Sequence, residues 1–398
     1  MTSLLETDIG AFIPGPRLEV APTGSGPLNG LTCAIKDVFD IAGHVTGFGN
    51  PTWLATHGPA ETHAEAVEKL LKGGTQVIGK SITDELDFSL SGSNHHYGAP
   101  LNSAAPDRLT GGSSCGSAAA VAAGFCDFAL GTDTAGSIRA PGSFCGLYGF
   151  RPTHGVISTR GLCALAPGFD TVGWLARDMA VMQAVGEVLL PTDSYRLEGE
   201  AAGWAMDGWD LVGAEAAARA LSTFTELSSG ILHPSAVEVS AEGLDKWMQA
   251  FRILQFVEVW AELGPWVTRH QPVLGPGIAE RLEAASKVTD EERTAAEAVQ
   301  SEVGKRLDRL WETCTLLVIP TVADTAPKRD ATMVFLERFR LDAIRLLCIA
   351  GLGGCPQITV PWLIQEGAPI GLSLVGPRGS DRQLLALAGR MARKMGKR

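Results

Sequence analysis

Glycine and serine crowd two short stretches of the chain, Leu109 to Ala120 (LTGGSSCGSAAA) and Gly131 to Gly146 (GTDTAGSIRAPGSFCG). Such stretches suit a hydroxyl nucleophile on a tight turn. Ser137 follows Asp133, Thr134, Ala135 and Gly136, small turn-forming residues whose successive main-chain N–H groups can point inward and hold an oxyanion. Ser113 precedes it by about two dozen positions. A helix of ~10 residues climbs ~15 Å and a following strand of ~6 residues travels ~20 Å, so an out-and-back path can return Ser137 to the helix start near Ser113. The unpaired N–H groups of that helix start would then face the place where negative charge develops.

A serine nucleophile needs a base, and none of the eight histidines has a setting that nominates it. His95 and His96 lie in the polar loop SGSNHHYG, where a turn or surface role is expected. The remaining candidate is a lysine held neutral by burial, and Lys36 closes the apolar run LTCAIK. Its competing reading is a lysine that snorkels to water or pairs with Asp37. Asp84, Glu85 and Asp87 cluster in sequence and read as solvated or capping carboxylates, and Asp133 and Arg139 as structural neighbours of the serine loop.

Two spacings imitate known motifs and fail on context. GTQVIGKS, Gly74 to Ser81, fits the phosphate-loop pattern, but a helix precedes it and its Val77 and Ile78 favour a strand. GSSCG fits the nucleophile-elbow pattern around Ser114, yet the polar segment SAAPDRLTG stands where a buried strand is required. No Cys/His cluster has metal-ligand spacing, so neither a metal nor another cofactor is expected.

The elements that must carry these residues alternate in type. HAEAVEKLLKGG reads as a helix ended by glycines and TQVIGK as a strand; SAAAVAAGF reads as a helix and FCDFALG as a strand, an alternation that implies a sheet covered by helices. Residues 179–314 change to long amphipathic helical patterns. In that segment Thr289 and Glu292 form a capping box, and Trp204, Trp209, Trp247, Trp260 and Trp266 read as core, with one or two of them open to a role in an apolar substrate pocket. TLLVIPTV and CPQITVPWLI then resume strand character, and GAPIGLSLVG reads as a hairpin or edge strand. A sheet interrupted and rejoined favours one domain over residues 1–398, with 179–314 as a helical insert that lines the substrate pocket.

With 398 residues, 45% of them hydrophobic, and a net charge of −11, the chain has the composition of a globular protein and no electrostatic case for nucleic acid or an anionic membrane. A small or neutral substrate is the default. The stretch LLCIAGLGGCPQITVPWLI, the most membrane-like, is broken by glycines and prolines and reads as a buried turn and strand. The N-terminus MTSLLETDIGAF shows no signal-peptide pattern, and eight cysteines without a C-x-x-C read as buried apolar residues, which together point to a reducing cytoplasm.

Three blocks carry a resemblance: AIKDVFDIAGHVTGFGNP with Lys36, GGSSCGSAAAVAAG with Ser113, and ALGTDTAGSIRAPGSFCGLYGFRPTHGVIS with Ser137. The chain resembles the amidase signature family, and FGNPTW and HYGAP are most similar to its plant-type indole-3-acetamide hydrolase branch. The resemblance implies a single α/β/α sandwich with a central mixed β-sheet flanked by helices. It also implies a triad of Ser137 as nucleophile, Ser113 as bridging serine after a cis Gly112–Ser113 peptide, and Lys36 as base. The oxyanion would be held by N–H groups of Thr134, Ala135, Gly136 and Ser137. Where many members read TGGS this chain reads TAGS, with Ala135. The implied reaction is hydrolysis of a small primary amide to acid and ammonia. A glutaminase-type subunit of a tRNA amidotransferase, a urea or carbamate hydrolase and, last, a non-catalytic binding module are the alternatives. The expected partner is the small-molecule amide alone, with the oligomeric state open and a homodimer among the options.

Overall fold

Ten strands form one twisted sheet in a computed structural model that describes residues 9–396. Residues 1–8, most of the stretch read for a signal peptide, lie outside the described residues. The strands are β1 (Thr32–Lys36), β2 (Gln76–Ser81), β3 (Phe128–Thr132), β4 (Tyr148–Arg151), β5 (Val172–Ala176), β6 (Ala201–Ala205), β7 (His233–Val237), β8 (Leu316–Pro320), β9 (Gln357–Gln365) and β10 (Ala368–Val375). Their order is β2-β1-β3-β5-β4-β9-β10-β8-β6-β7. Pairing is parallel at both ends of the sheet and antiparallel through the middle, so the sheet is mixed, and helices cover it.

The helix–strand alternation read from the first third is present. The helix Glu65–Lys72 buries Ala66, Val67, Leu70 and Leu71 and leads into β2, while the alanine-rich helix Cys115–Ala122 leads into β3. Gly74 to Ser81 therefore runs into a strand and is no phosphate loop. The capping box at Thr289 and Glu292 opens the helix Asp290–Trp311.

Three readings change. Residues 179–314 are not helical throughout, because β6 and β7 lie within them and extend the sheet beyond β8. Both strands are five residues long, and β7 carries Pro234, which is compatible with a strand only at a sheet edge, where β7 sits. GAPIGLSLVG is the hairpin partner of β9 but no edge, since β10 also pairs with β8. Glu366 and Gly367, both with positive φ, make the two-residue turn that joins β9 to β10. Finally, LLCIAGLG ends the 21-residue helix Met333–Gly353, which stops at Gly354 in the left-handed conformation. Among the described residues no helix is long and apolar enough to cross a membrane.

Candidate active site

Lys36 is the last residue of β1, between β2 and β3, and is 0% exposed. Side chains alternate faces along a strand, so Lys36 and the adjacent Asp37 point in opposite directions. That alternation separates the two residues that the sequence reading allowed to pair. The Lys36 amine neither snorkels nor meets Asp37. Its Nζ donates to Ser113 Oγ at 2.8 Å and to Thr132 Oγ1 at 2.7 Å, and it forms an ion pair with Asp87.

Ser113 sits just before the helix Cys115–Ala122, and the Gly112–Ser113 peptide is cis. A side chain at position 112 would collide with the Asp84 carboxylate, so glycine is required there. Ser113 Oγ donates to Asp87 Oδ1, and the other oxygen of the same carboxylate accepts from Thr132 Oγ1 at 2.8 Å. The neighbouring Ser114 donates to Thr132 O and begins the helix, as a structural residue.

Asp87 is the residue that the sequence reading misplaced. Asp84, Glu85 and Asp87 are 0%, 2% and 4% exposed, so none is a solvated carboxylate. Leu86 and Asp87 both have positive φ, a conformation in which aspartate is enriched, and this double left-handed turn swings the Asp87 carboxylate back under Ser113. Burial pushes the Asp84 carboxyl up, against a main-chain hydrogen bond from Gly92. Glu85 accepts from Asn50, Gly275 and His96 Nε2, each at 2.7 Å. His96 therefore belongs to a latch between loops and touches neither serine.

Ser137 lies in the loop after β3, with Gly136 at φ 127°. A Cβ at 136 would strike Leu347, whereas the Ala135 methyl borders the cleft without a left-handed φ, so the TAGS variant fits. The loop is held from beneath by Asp133. Its carboxylate receives Arg139 at 2.7 and 2.9 Å, Arg151 at 3.0 Å, and the main-chain N–H groups of Ile138 and Arg139. Burial would raise the Asp133 carboxyl, but the two guanidinium groups outweigh it and hold it well below the usual carboxylate range. Arg139 also donates to Leu347 O and Gln357 Oε1 and is fully buried, which makes it structural. From the other side Asp170 accepts from Thr134 Oγ1 at 2.6 Å and from the N–H groups of Leu165 and Ala166. Burial pushes the Asp170 carboxyl up to about 6.

Among the described residues, the main-chain N–H groups of Thr134, Ala135, Gly136 and Ser137 donate to no protein acceptor. Buried N–H groups are nearly always paired, so four in succession beside a serine mark a place that awaits an acceptor. The loop also touches the helix start, where Ser114 N donates to Ser137 O at 3.3 Å. Ser113 and Ser137 are not joined by a hydrogen bond, because the Ser113 hydroxyl is turned to Asp87. Lys36 and Ser113 are thus in direct contact, and Ser137 stands beside them at a cavity that Asp87, Phe88, Leu90, Leu165 and Gln255 also line.

The tryptophans are core residues, as read, and none lines this cavity or the outer one beside it: Trp204 and Trp209 stack at 4.2 Å, and Trp266 packs on Trp53. Segment 179–314 reaches the cleft instead through Gln255 and, in an adjoining outer cavity, through Pro276, Ile278 and Arg281. The two cavities share Ser89, Leu90 and Arg340.

A family model described as Amidase matches residues 18–201 and 241–385. Amidase 1 of Arabidopsis thaliana is 40% identical over 417 residues, covering 97% of this chain and 98% of that protein. Translocon at the outer membrane of chloroplasts 64 of Pisum sativum is 34% identical over 97% of this chain and 70% of its own length. A crystal structure of an amidase superposes with a TM-score of 0.81 at 28% identity, covering 93% of this chain and 85% of the other.

Proposed function

The chain belongs to the amidase signature family, and from that premise we propose that it hydrolyses a small primary amide, with an arylacetamide such as indole-3-acetamide as its substrate class, through an acyl-enzyme on Ser137. The observation that carries this reading is the fully buried Lys36 amine bonded to Ser113 Oγ, beside a serine whose loop offers four unpaired N–H groups.

Ser137 Oγ attacks the amide carbonyl carbon and its proton moves to Ser113 Oγ, while the Ser113 proton moves to Lys36 Nζ, which must first give up the proton of its ion pair with Asp87 to solvent and so enter the step as an uncharged amine. A rotation of the Ser113 hydroxyl from Asp87 to Lys36 Nζ directs its proton to the amine and leaves its oxygen to accept from Ser137. The proton arriving on Lys36 creates an ammonium directly against the Asp87 carboxylate, which stabilises the charge separation of the step. The carbonyl oxygen becomes an oxyanion held by the N–H groups of Thr134, Ala135, Gly136 and Ser137. The relay then returns its proton to the departing nitrogen, ammonia leaves, and water cleaves the ester by the same path in reverse. Phe88, Leu90 and Leu165 at the inner cavity, with Ile278 and Phe339 in the outer one, supply the apolar wall that an aryl group needs.

Ammonia release from indole-3-acetamide, phenylacetamide, hexanamide and glutamine tests the proposal. Turnover of the aryl amides is expected, together with its loss in Ser137→Ala. Turnover of glutamine alone, or full activity in Ser137→Ala, would overturn it.

A further inference from the structure

Most polar side chains at the inner cavity are already engaged. Asp87 holds Lys36, Ser113 and Thr132; Thr134 bonds Asp170; Ser89 bonds Ser91; Arg340 binds Glu337 through two nitrogens. Two are not: Ser137, the nucleophile of the reading above, and Gln255.

Gln255 lies midway along the 27-residue helix Leu244–His270 and is 2% exposed. Its Oε1 is shut away from solvent with no donor in reach. A buried carboxamide without a partner is destabilising, and a helix interior could carry leucine at that place. The side chain lines the reaction cavity, and a half-turn of its terminal carboxamide, which exchanges Oε1 with Nε2, presents the unfilled acceptor to a partner that arrives with the substrate. The reacting amide does not need it. Its carbonyl oxygen is met by the N–H groups of residues 134–137, and its nitrogen receives a proton through Ser113.

We propose that Gln255 sets specificity by accepting a hydrogen bond from an N–H or O–H donor on the acyl side of the substrate, away from the scissile amide. This rests on the proposed amidase reading and narrows it: the substrate is an amide whose acyl group is mainly apolar and carries one donor, as an indole ring does. Oε1 is unpaired in the free protein too, so a substrate without the donor leaves it as it was, whereas one with the donor gains the bond, and discrimination comes from that gain.

Two substrate pairs test this, indole-3-acetamide against benzofuran-3-acetamide and 6-hydroxyhexanamide against heptanamide, each exchanging the donor group for one of similar size that cannot donate. In the wild-type protein kcat/KM should favour the donor-bearing member by about 10- to 100-fold. Gln255→Leu should bring the ratio near one, mainly by lowering the donor-bearing member, and undiminished turnover of the other member shows that the variant is folded. Equal losses for both members, or an unchanged ratio, would overturn the assignment. Turnover confined to the alkyl pair would end the aryl reading while the Gln255 ratio is still measured; turnover of none of the four would end both.

Discussion

Two buried lysine–aspartate pairs hang on neighbouring strands, and only one of them adjoins the proposed nucleophile. Lys36 of β1 pairs with Asp87, and Lys80 of β2 pairs with Asp37 at 2.6 Å. Both lysines are nearly inaccessible, and Ile35 lies opposite Lys80 in the parallel register, so Lys36 and Lys80 leave opposite faces of the sheet. On one face the lysine meets Ser113, Thr132 and a carboxylate that borders the Ser137 cavity. On the other it meets Thr46 Oγ1 at 3.2 Å, and Asp37 receives Gly47 N–H at 3.1 Å, with no serine hydrogen-bonded to either side chain among the described residues. Burial pushes the Asp37 carboxyl up against the pull of Lys80. Burial of a lysine is therefore not what sets the candidate site apart; the serine hydroxyl against it is.

The comparison breaks first on activity. Lys36→Ala should lower kcat by about 10²–10⁴-fold, whereas Lys80→Met, measured per folded molecule, should stay within a few-fold of the wild-type rate. Equal losses in the two variants would erase the distinction between the faces.

On stability the pairs should behave alike. Removal of one partner from a buried ion pair costs about 3–5 kcal/mol, so Lys80→Met and Asp87→Ala should both shift urea unfolding by that order. Lys80→Met combined with Asp37→Leu should recover much of the loss, since no uncompensated charge is then buried. A double variant no more stable than Lys80→Met would show that the pair contributes through packing instead.

A smaller effect separates both pairs from Asp170, which has hydrogen-bond donors but no lysine against it. Its carboxyl is raised to about 6, above the value in an unfolded chain. Its contribution to stability is therefore present in full below pH ~4 and lost as pH rises through about 6, to the extent of about 3 kcal/mol. Urea unfolding of the wild-type protein and Asp170→Asn from pH 4 to 7 should show the difference between them changing with that sign. A pH-independent difference would place the carboxyl in a more solvated setting.

Much of the site was legible. The serine-rich stretches, the turn before Ser137 and a lysine closing an apolar strand are local patterns, and they led to Lys36, Ser113 and the loop at 134–137. The sheet covered by helices followed from periodicity in the same way. Asp87 was not legible, because its role depends on two consecutive left-handed residues that turn a seemingly solvated carboxylate inward. Gln255 was not legible either, since a glutamine in an amphipathic helix looks ordinary until its neighbours are known. The strands β6 and β7 escaped because five-residue strands among long helices leave little pattern.

The sequence by itself determined the family and the alternation of elements and nominated the serines and the lysine of the candidate site, since each is written within a few consecutive residues. Only the tertiary structure decided that Lys36 faces Ser113 while Asp37 faces Lys80, that Asp87 pairs with Lys36 and Ser113, and that Gln255 lines the cavity with its oxygen unpaired. Those facts depend on which face of a strand or helix meets which neighbour far along the chain, and that is fixed by packing alone.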